Sequence, residues 1–460
     1  MVVSNADPLY RFAFGAVFML IVGLAVQNMN GLTGAFGLYM LGSKKGIHFI
    51  TKAANKSPRF WRFFADWGLA MSFGIVGYLI FRKRIDKRAF ALGLASLILA
   101  LLFLLPNLGL LFQFLNIPQI TSRLATSAQV SMASAGASWL YYVTAALSIL
   151  GGLSLLLIIP LAYSGALILS AVFSFLPTAF TAHPNYTALN QQVPGVAPVL
   201  PGITVPLFSA LIALLILLVV HEFSHGIQAV LSRVKIKSIG IVLFGILPFG
   251  AYVEPDETQI KKLGKDDQDR ISIAGVSANM LFSFVFFMLT FVTIVYVLPG
   301  ISTDGVLVTH VFNNTPAFGV IANGSVITEW NNISIINEYS LANAESHFVY
   351  NLSGFSNAVR LTTRNNTYYI TPEPDGKLGI SVSPAAYTLQ YNIWNFLYAV
   401  FVLSFTLNFL VAIVNLIPLP GFDGWRVYQN RIKNKLLLKI IVAAVLLIFI
   451  ANMLPWLWIQ

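Results

Sequence analysis

The sequence predicts a polytopic α-helical membrane protein with a small inserted β-rich domain. Of its 460 residues, 57% are hydrophobic and only 10% are charged, whereas about a quarter of the residues are charged in an ordinary soluble domain. Several uncharged stretches reach the roughly 18 residues with which an α-helix crosses a hydrocarbon layer about 30 Å thick. One water-soluble core cannot bury this much apolar surface, so we expect several crossings of the bilayer.

The candidate spans follow from uncharged, apolar stretches of sufficient length. They are residues 12–29, 64–81, 89–115, 139–176, 206–230, 271–298, 393–417 and 438–458. The stretch 139–176 is too long for one crossing, and its interior Pro160 and Gly165 predict a division there into two pieces. Near the N-terminus, one span separates two basic segments, so we expect that residues 64–81 cross incompletely or that residues 31–41 make a second pass.

The charge distribution predicts the orientation of the chain. Basic residues crowd residues 233–270 and 426–439, which the positive-inside rule assigns to the cytosol. Residues 300–392 must then lie outside, and they contain five Asn-x-Ser/Thr sequons, at Asn313, Asn323, Asn332, Asn351 and Asn365. Because the net charge of +11 gathers beside apolar spans, nucleic acid is not expected as a partner. The chain has no cysteine, which excludes thiolate chemistry.

The outer segment is predicted to be a small β-rich domain. Residues 305–312, 325–330 and 358–363 alternate between apolar and polar side chains and are separated by Asn/Gly turns. A helical pattern occupies residues 339–350. This order of elements resembles a PDZ domain, although no carboxylate-binding loop of that family is evident in the sequence.

The span that begins near Pro206 contains the candidate metal-binding motif His221-Glu222-Phe-Ser-His225. Two histidines four residues apart share a helix face, so both imidazoles can reach one Zn²⁺ while the intervening glutamate acts as general base. Glu222 is the only glutamate in a predicted span, and a carboxylate at this depth is costly without a partner or a function. The alternative is a pair of structural histidines on an apolar helix.

A catalytic zinc ion needs a third protein ligand and keeps its fourth position for water. Asp66 and Asp423 are the remaining candidates at membrane depth. Asp66 follows Arg59 and Arg62 and is expected to pair with them. Asp423 follows the span 393–417, and the two prolines before it end the helix, so the chain can turn Asp423 into the bundle. The alternative for Asp423 is an Asp-Gly turn that faces the cytosol.

Together these motifs resemble the site-2 protease family of intramembrane zinc metalloproteases. His221-Glu222-Phe-Ser-His225 and Asn415-Leu-Ile-Pro-Leu-Pro-Gly-Phe-Asp423-Gly424 match its two paired motifs. The resemblance implies that His221, His225 and Asp423 bind zinc and that Glu222 activates the hydrolytic water. A third element, Ala274-Gly275-Val-Ser-Ala-Asn279, departs from the family pattern only by valine in place of proline. The resemblance covers approximately residues 206–458.

Two asparagines are candidate substrate-binding residues. Asn279 lies nine residues past Arg270, or roughly 13 Å into the membrane at helical rise. The family resemblance implies that Asn279 and Asn415 hold the substrate backbone or help to stabilise the oxyanion; the alternative is an interhelical hydrogen bond. Residues 236–255 are predicted to form a membrane-associated β-hairpin whose edge can take an unwound substrate as a further strand.

These observations predict an intramembrane zinc endopeptidase that cuts transmembrane proteins. It is organised as an N-terminal multi-span region (1–203), a first core part (204–299), an extracytoplasmic PDZ-like domain (300–392) and a second core part (393–460). Its active site would lie toward the cytosolic side of a cell membrane, with substrate proteins and lipid as partners. The alternatives are a membrane zincin of the prenyl-protein peptidase type and a non-proteolytic metal transporter or scaffold.

Overall fold

The computed structural model describes residues 8–30, 34–81, 85–114, 138–181, 185–192, 201–202, 205–245, 247–348 and 357–458. Its helices are α1 (Pro8–Asn30), α2 (Lys44–Lys56), α3 (Pro58–Phe81), α4 (Lys87–Phe114), α5 (Ser138–Gly151), α6 (Leu153–Phe175), α7 (Thr187–Asn190), α8 (Leu207–Leu231), α9 (Glu257–Ile260), α10 (Lys265–Val292), α11 (Glu338–Ser346), α12 (Leu389–Val414), α13 (Asp423–Arg431) and α14 (Lys435–Met453).

Among the described residues, six helices are long and apolar enough to cross a membrane. They are α3, α6, α8, α10 with its continuation to Gly300, α12, and α14 with its continuation to Leu457. Predominantly apolar segments of this length are stable as helices in lipid because every backbone hydrogen bond is made within the segment. The chain is therefore a polytopic α-helical membrane protein, as predicted.

The long apolar stretch 139–176 divides at a different residue from the one predicted. The break falls at Gly152, which has φ 78° and separates α5 from α6, while Pro160 lies inside α6. A second glycine in the left-handed region, Gly74 with φ 55°, kinks α3. The two breaks face each other: a Cβ on Gly152 would lie 2.2 Å from the Ser72 carbonyl oxygen. Only glycine permits both the positive φ and this backbone approach.

The predicted β-hairpin forms over β3 (Ile236–Phe244) and β4 (Leu247–Pro255), which pair antiparallel. Two further strands, β1 (Gly34–Ala35) and β2 (Leu38–Gly42), extend it to a four-stranded sheet in the order β1-β2-β3-β4. The expectation of a second membrane pass over residues 31–41 is therefore wrong for its described part, since residues 34–35 and 38–41 pair as strands. Because β2 pairs with β3 on the side away from β4, β4 is left as the long strand at one edge of this sheet.

The second sheet builds the β-rich domain of residues 300–392, which is called the outer domain after its predicted side of the membrane. Its strands are β5 (Val306–Val311), β6 (Val326–Trp330), β7 (Ile333–Ser334), β8 (Val359–Thr363), β9 (Thr367–Ile370) and β10 (Ile380–Pro384). Their order is β10-β5-β6-β8-β9, with β7 paired to β6. Alternate residues of β8 are buried, which is the period-2 pattern of a strand with one face on a core. The predicted β-rich domain is present; its relation to PDZ domains stays a prediction.

The chain forms two compact units. One comprises Phe286–Val402 and contains the second sheet with α11. The other comprises the chain before and after that segment and contains the first sheet with α8 and α13. In the outer domain the buried Trp330, Leu341 and Leu361 belong to one hydrophobic cluster. Asn337 caps α11 through a reciprocal pair of hydrogen bonds with Ser340.

Candidate metal centre

The two histidines of the motif on α8 face the same side, as their spacing predicts. Their rings lie 4.8 Å apart between centroids, and their Nε2 atoms are 3.2 Å apart. The Asp423 carboxylate completes the group, with Oδ2 at 3.1 Å from the Nε2 of His221 and 3.4 Å from that of His225. The structure therefore brings together the three side chains that sequence analysis predicted as metal ligands.

Asp423 reaches this position because the chain turns sharply after α12. The segment between α12 and α13 carries Pro418 and Pro420, which cannot continue a helix. The turn is closed by a hydrogen bond of 2.7 Å from the Gly424 backbone N–H to the Asn415 carbonyl oxygen. Burial alone would raise the pKa of Asp423, but the facing His225 and His221 rings lower it below its ordinary value.

One face of α10 supports both imidazoles. His225 Nδ1 lies 2.7 Å from the Ile271 carbonyl oxygen, and His221 Nδ1 lies 3.0 Å from Asn279 Nδ2. Gly275 lies between these residues on the same face, since positions 271, 275 and 279 are spaced by four. A Cβ at Gly275 would come within 2.5 Å of His225 Nε2 and 2.6 Å of His221 Nε2. The missing side chain of Gly275 therefore makes room for the two rings.

The predicted substrate-binding asparagines occupy different surroundings. Asn279 is fully buried, its amide lies on His221, and its Oδ1 has no hydrogen-bond partner among the described residues. The side chain of Asn415 is half-buried and forms no hydrogen bond within the described part of the chain. Asn279 thus makes the interhelical contact that was the alternative, and Asn415 contributes its backbone to the turn before Asp423. The substrate-binding role of both residues stays a prediction.

Glu222 lies at the edge of the first sheet. Its Oε2 accepts a hydrogen bond of 3.1 Å from the Val253 backbone N–H of β4. Because this N–H points away from β3, it is one of the groups to which an additional strand would bond. Val253 and Ile271 act through backbone groups, which leave no signal in the sequence, so neither is a predicted site residue. Gly275 did have a signal, namely its place four residues before Asn279 on one helix.

Asp66, the competing candidate for a third ligand, belongs to a separate ion pair. Its carboxylate accepts hydrogen bonds from Arg270, at 2.7 Å from Nε to Oδ1, and from the Asp86 backbone N–H at 2.9 Å. The expected pairing of Asp66 with Arg59 and Arg62 is wrong: Asp66 is only 3% exposed and pairs with Arg270 of α10. Desolvated, bidentate pairs of this kind fix the geometry of two helices.

The helix α13, which begins at Asp423, is held at its far end by charged groups of α10. Arg431 donates a hydrogen bond of 2.6 Å to Asp266 and one of 2.7 Å from Nε to Asp269. Asn430 donates a further one of 2.8 Å to Asp269. Burial would lower the pKa of Arg431, but its hydrogen bond with Asp266 and the charge of Asp269 raise it above its ordinary value. The orientation of α13, and with it the direction of Asp423, is therefore fixed from both ends.

This combination of several apolar helices with a histidine pair on a membrane helix and an aspartate beside it defines an integral membrane protein of the metallopeptidase class. Residues 209–456 match the model of peptidase family M50. The chain belongs to this family, the site-2 protease family, because the match covers more than half of its length. It is also 30% identical to an uncharacterized protein of Methanocaldococcus jannaschii over 237 residues. That alignment covers 51% of this chain and 60% of the relative, so this chain spans less than two thirds of the relative's length.

Proposed function

We propose that the protein is an intramembrane zinc endopeptidase that hydrolyses peptide bonds of transmembrane proteins. The observation that carries the proposal is the convergence of His221 Nε2, His225 Nε2 and Asp423 Oδ2 within 4.8 Å of one another, on two elements far apart in the chain. Two imidazoles and one carboxylate form a ligand set typical of catalytic zinc. The family supports a metallopeptidase; zinc and the substrate class are the proposed refinements.

The residues present fit a bound cation on three counts. Asp423 Oδ2 is buried without a hydrogen-bond partner of adequate geometry among the described residues. The Nε2 atoms of the two histidines point toward each other, which leaves two nitrogens facing one small space. Gly275 adds no side chain there. His221, His225 and Asp423 would hold a zinc ion here, which would supply Lewis acidity and would lower the pKa of a water at the site to roughly 7.

The supporting groups set the tautomer that metal binding requires. The Ile271 carbonyl oxygen accepts only from a protonated His225 Nδ1, so Nε2 of that ring keeps its lone pair for the metal. For His221 the same result requires an acceptor at Nδ1. A half-turn of the Asn279 amide places its unpartnered Oδ1 there in exchange for Nδ2. We propose Asn279 as a residue that orients His221, in addition to its predicted role at the substrate.

Glu222 is the proposed general base. It takes a proton from the attacking water and returns it to the leaving amine, so that hydrolysis proceeds without a covalent acyl-enzyme. Its place beside β4 joins this role to substrate binding. A substrate helix must be unwound before its carbonyl is accessible, and the edge of β4 provides backbone groups that hold the unwound segment as a further strand.

The proposed orientation places this site toward the cytosol and the outer domain on the opposite side. The basic residues of 233–270 and 426–439 support it through the positive-inside rule. The third ligand argues against the prenyl-protein peptidase alternative, because an aspartate after α12, rather than a downstream glutamate in a helix, lies beside the imidazoles. The transporter alternative requires polar groups through both leaflets, whereas these candidates share one depth.

The test is the substitution Glu222→Gln in the full chain. The variant should keep one zinc per chain, measured by elemental analysis, and lose cleavage of a model transmembrane substrate in detergent or liposomes, because the amide cannot take the proton. Substitution of His225 by Ala should remove both zinc and cleavage. Full cleavage by the Glu222→Gln protein would eliminate the proposed mechanism.

A further inference from the structure

The Asn-x-Ser/Thr sequons are unevenly distributed along the chain. Seven occur in the sequence, and five of them lie within residues 300–392. A sixth, at Asn185, precedes α8 on the side that the proposed orientation also places outside. The seventh, at Asn55, belongs to the basic helix α2. Ile50 and Ala54 of α2 pack with Ile236, which lies in the basic segment 233–270 that the proposed orientation places in the cytosol, so Asn55 is assigned to that side. The sequons are thus concentrated where an enzyme of the outer surface has access.

The described sequons of the outer domain lie in exposed turns. Asn313 follows β5, Asn323 precedes β6, and Asn365 lies between β8 and β9; all three side chains are exposed. Asn332 lies with Asn331 in the tight turn between β6 and β7, where both have positive φ, 67° and 46°. Asn351 lies outside the described residues. Turn positions tolerate a bulky substituent because nothing packs over them.

The side-chain amide nitrogens (Nδ2) of the described sequon asparagines are not engaged in hydrogen bonds with other described residues. Within the described part of the chain, no hydrogen bond is donated by Nδ2 of Asn313, Asn323, Asn332 or Asn365, and the Asn332 contact with Arg360 uses Oδ1. Asparagines of the same domain outside sequons behave differently. Asn337 Nδ2 donates to the carbonyl oxygen of Ile301 at 2.7 Å, and Asn366 Nδ2 donates to the Tyr368 hydroxyl at 3.2 Å. A nucleophile that is already hydrogen-bonded would first have to give up that bond, at a cost of about 1 kcal/mol.

We propose that the outer domain is N-glycosylated at Asn313, Asn323, Asn332 and Asn365. The co-reactant is an oligosaccharide linked through phosphate to a membrane lipid. Nδ2 of each asparagine attacks the anomeric carbon, so an N–C bond forms and the C–O bond to phosphate breaks. The lipid phosphate leaves with the electron pair, and the amide loses one proton to the transferring enzyme. The proposal rests on the orientation given under the proposed function, not on the proteolytic chemistry.

The experiment uses the full chain, produced in a host whose secreted proteins carry N-linked glycans. Mass spectrometry of the intact protein and of its peptides measures the modification at each sequon. We expect a glycan at each of the four positions, and a loss of one glycan mass for each single Asn→Gln substitution. Asn55 provides the matched control, since it is also exposed and in a sequon: its peptide should be unmodified, and Asn55→Gln should leave the mass pattern unchanged.

A separate measurement establishes the orientation. Because the chain has no cysteine, the single substitutions Lys377→Cys and Lys52→Cys can be labelled from outside intact cells with a membrane-impermeant maleimide; only the first should react. Four unmodified outer peptides, in a preparation whose other secreted proteins are glycosylated, would overturn the proposal, as would a glycan on Asn55. A reversed labelling pattern would overturn the orientation and the proposal together, while zinc content and cleavage would still decide the proteolytic function.

Discussion

The substitution Gly275→Ala tests the proposed metal centre through one methyl group. A Cβ at this position would lie 2.5 Å from His225 Nε2 and 2.6 Å from His221 Nε2, whereas uncharged heavy atoms prefer about 3.5 Å. The rings or the helix must therefore shift by roughly 1 Å, while metal–ligand distances tolerate only about 0.2 Å. Alanine in a helix interior would by itself add about 1 kcal/mol of stability, and overpacking costs about 1–3 kcal/mol.

A measurement of the affinity for zinc separates the effect of the methyl group on the metal centre from its effects on stability. We expect it to fall by at least about tenfold, equivalent to about 1.4 kcal/mol, in competition titrations with a chelator of known affinity, and cleavage to fall with it. Gly300→Ala is the matched control, because a Cβ there meets no atom within 4 Å, and it should bind zinc like the unmodified chain. If Gly275→Ala retained unmodified affinity for zinc, the metal would not be held by these two nitrogens.

Substitutions at three further residues test the groups around the site and the outer domain. Asn279→Leu should weaken zinc binding by about 10–100-fold, whereas Asn279→Asp should restore it because a carboxylate also accepts from His221 Nδ1; equal affinities in the two variants would exclude the orienting role. Arg431→Gln leaves the fully buried Asp269 without its counter-charge, so we expect a loss of about 3–5 kcal/mol in the free energy of unfolding, measured by thermal unfolding in detergent; an unchanged midpoint would contradict it. Burial, and secondarily Asp375, raise the pKa of Glu345, so the folded domain holds a proton that the unfolded chain releases, and its stability should fall as the pH rises from the ordinary glutamate pKa through the raised one. Hydrogen exchange of residues 338–346 measures this fall in stability, and Glu345→Gln should remove it. The same pH dependence in that variant would refute the assignment.

The predictable part of the site is the part with a local signal. The spacing of His221 and His225 requires a shared helix face, and the prolines before Asp423 predict a helix end that turns the chain. The hairpin over β3 and β4 follows from strand-like sequence bounded by turn residues. Gly152, by contrast, breaks the long apolar stretch because it must approach Ser72 of another helix, and this contact has no trace in the local sequence. Pro160 stays helical, as prolines in membrane helices often do.

The errors concern partners that are distant in sequence. Asp66 was expected to pair with the nearest arginines, but its partner Arg270 lies 204 positions away. Residues 38–41 looked apolar enough for membrane, yet they pair with β3 about 200 residues later in the chain. In both cases the choice between a local and a distant partner depends on how helices and strands pack, and a single sequence does not encode that packing in any short pattern.

The proposed metal centre is also supported by residues that lie outside the matched segment 209–456. The pair of Asp66 with Arg270 is one such contact. Gly68 of α3 lies so close to α10 that a Cβ there would meet Ser277 Oγ at 1.7 Å. Ser277 lies two residues after Gly275 on α10. The helix α3 also packs aromatic rings against α13: the ring centroids of Phe73 and Tyr428 lie 5.7 Å apart, and the Arg431 guanidinium lies 4.8 Å from the centroid of the Phe81 ring. Two of the helices that α3 contacts position groups of the proposed metal centre, α10 through Asn279 and α13 through Asp423. Because an error of about 1 Å is enough to disrupt such a centre, we expect α3 to support the proposed metal centre although its sequence lies outside the matched residues 209–456.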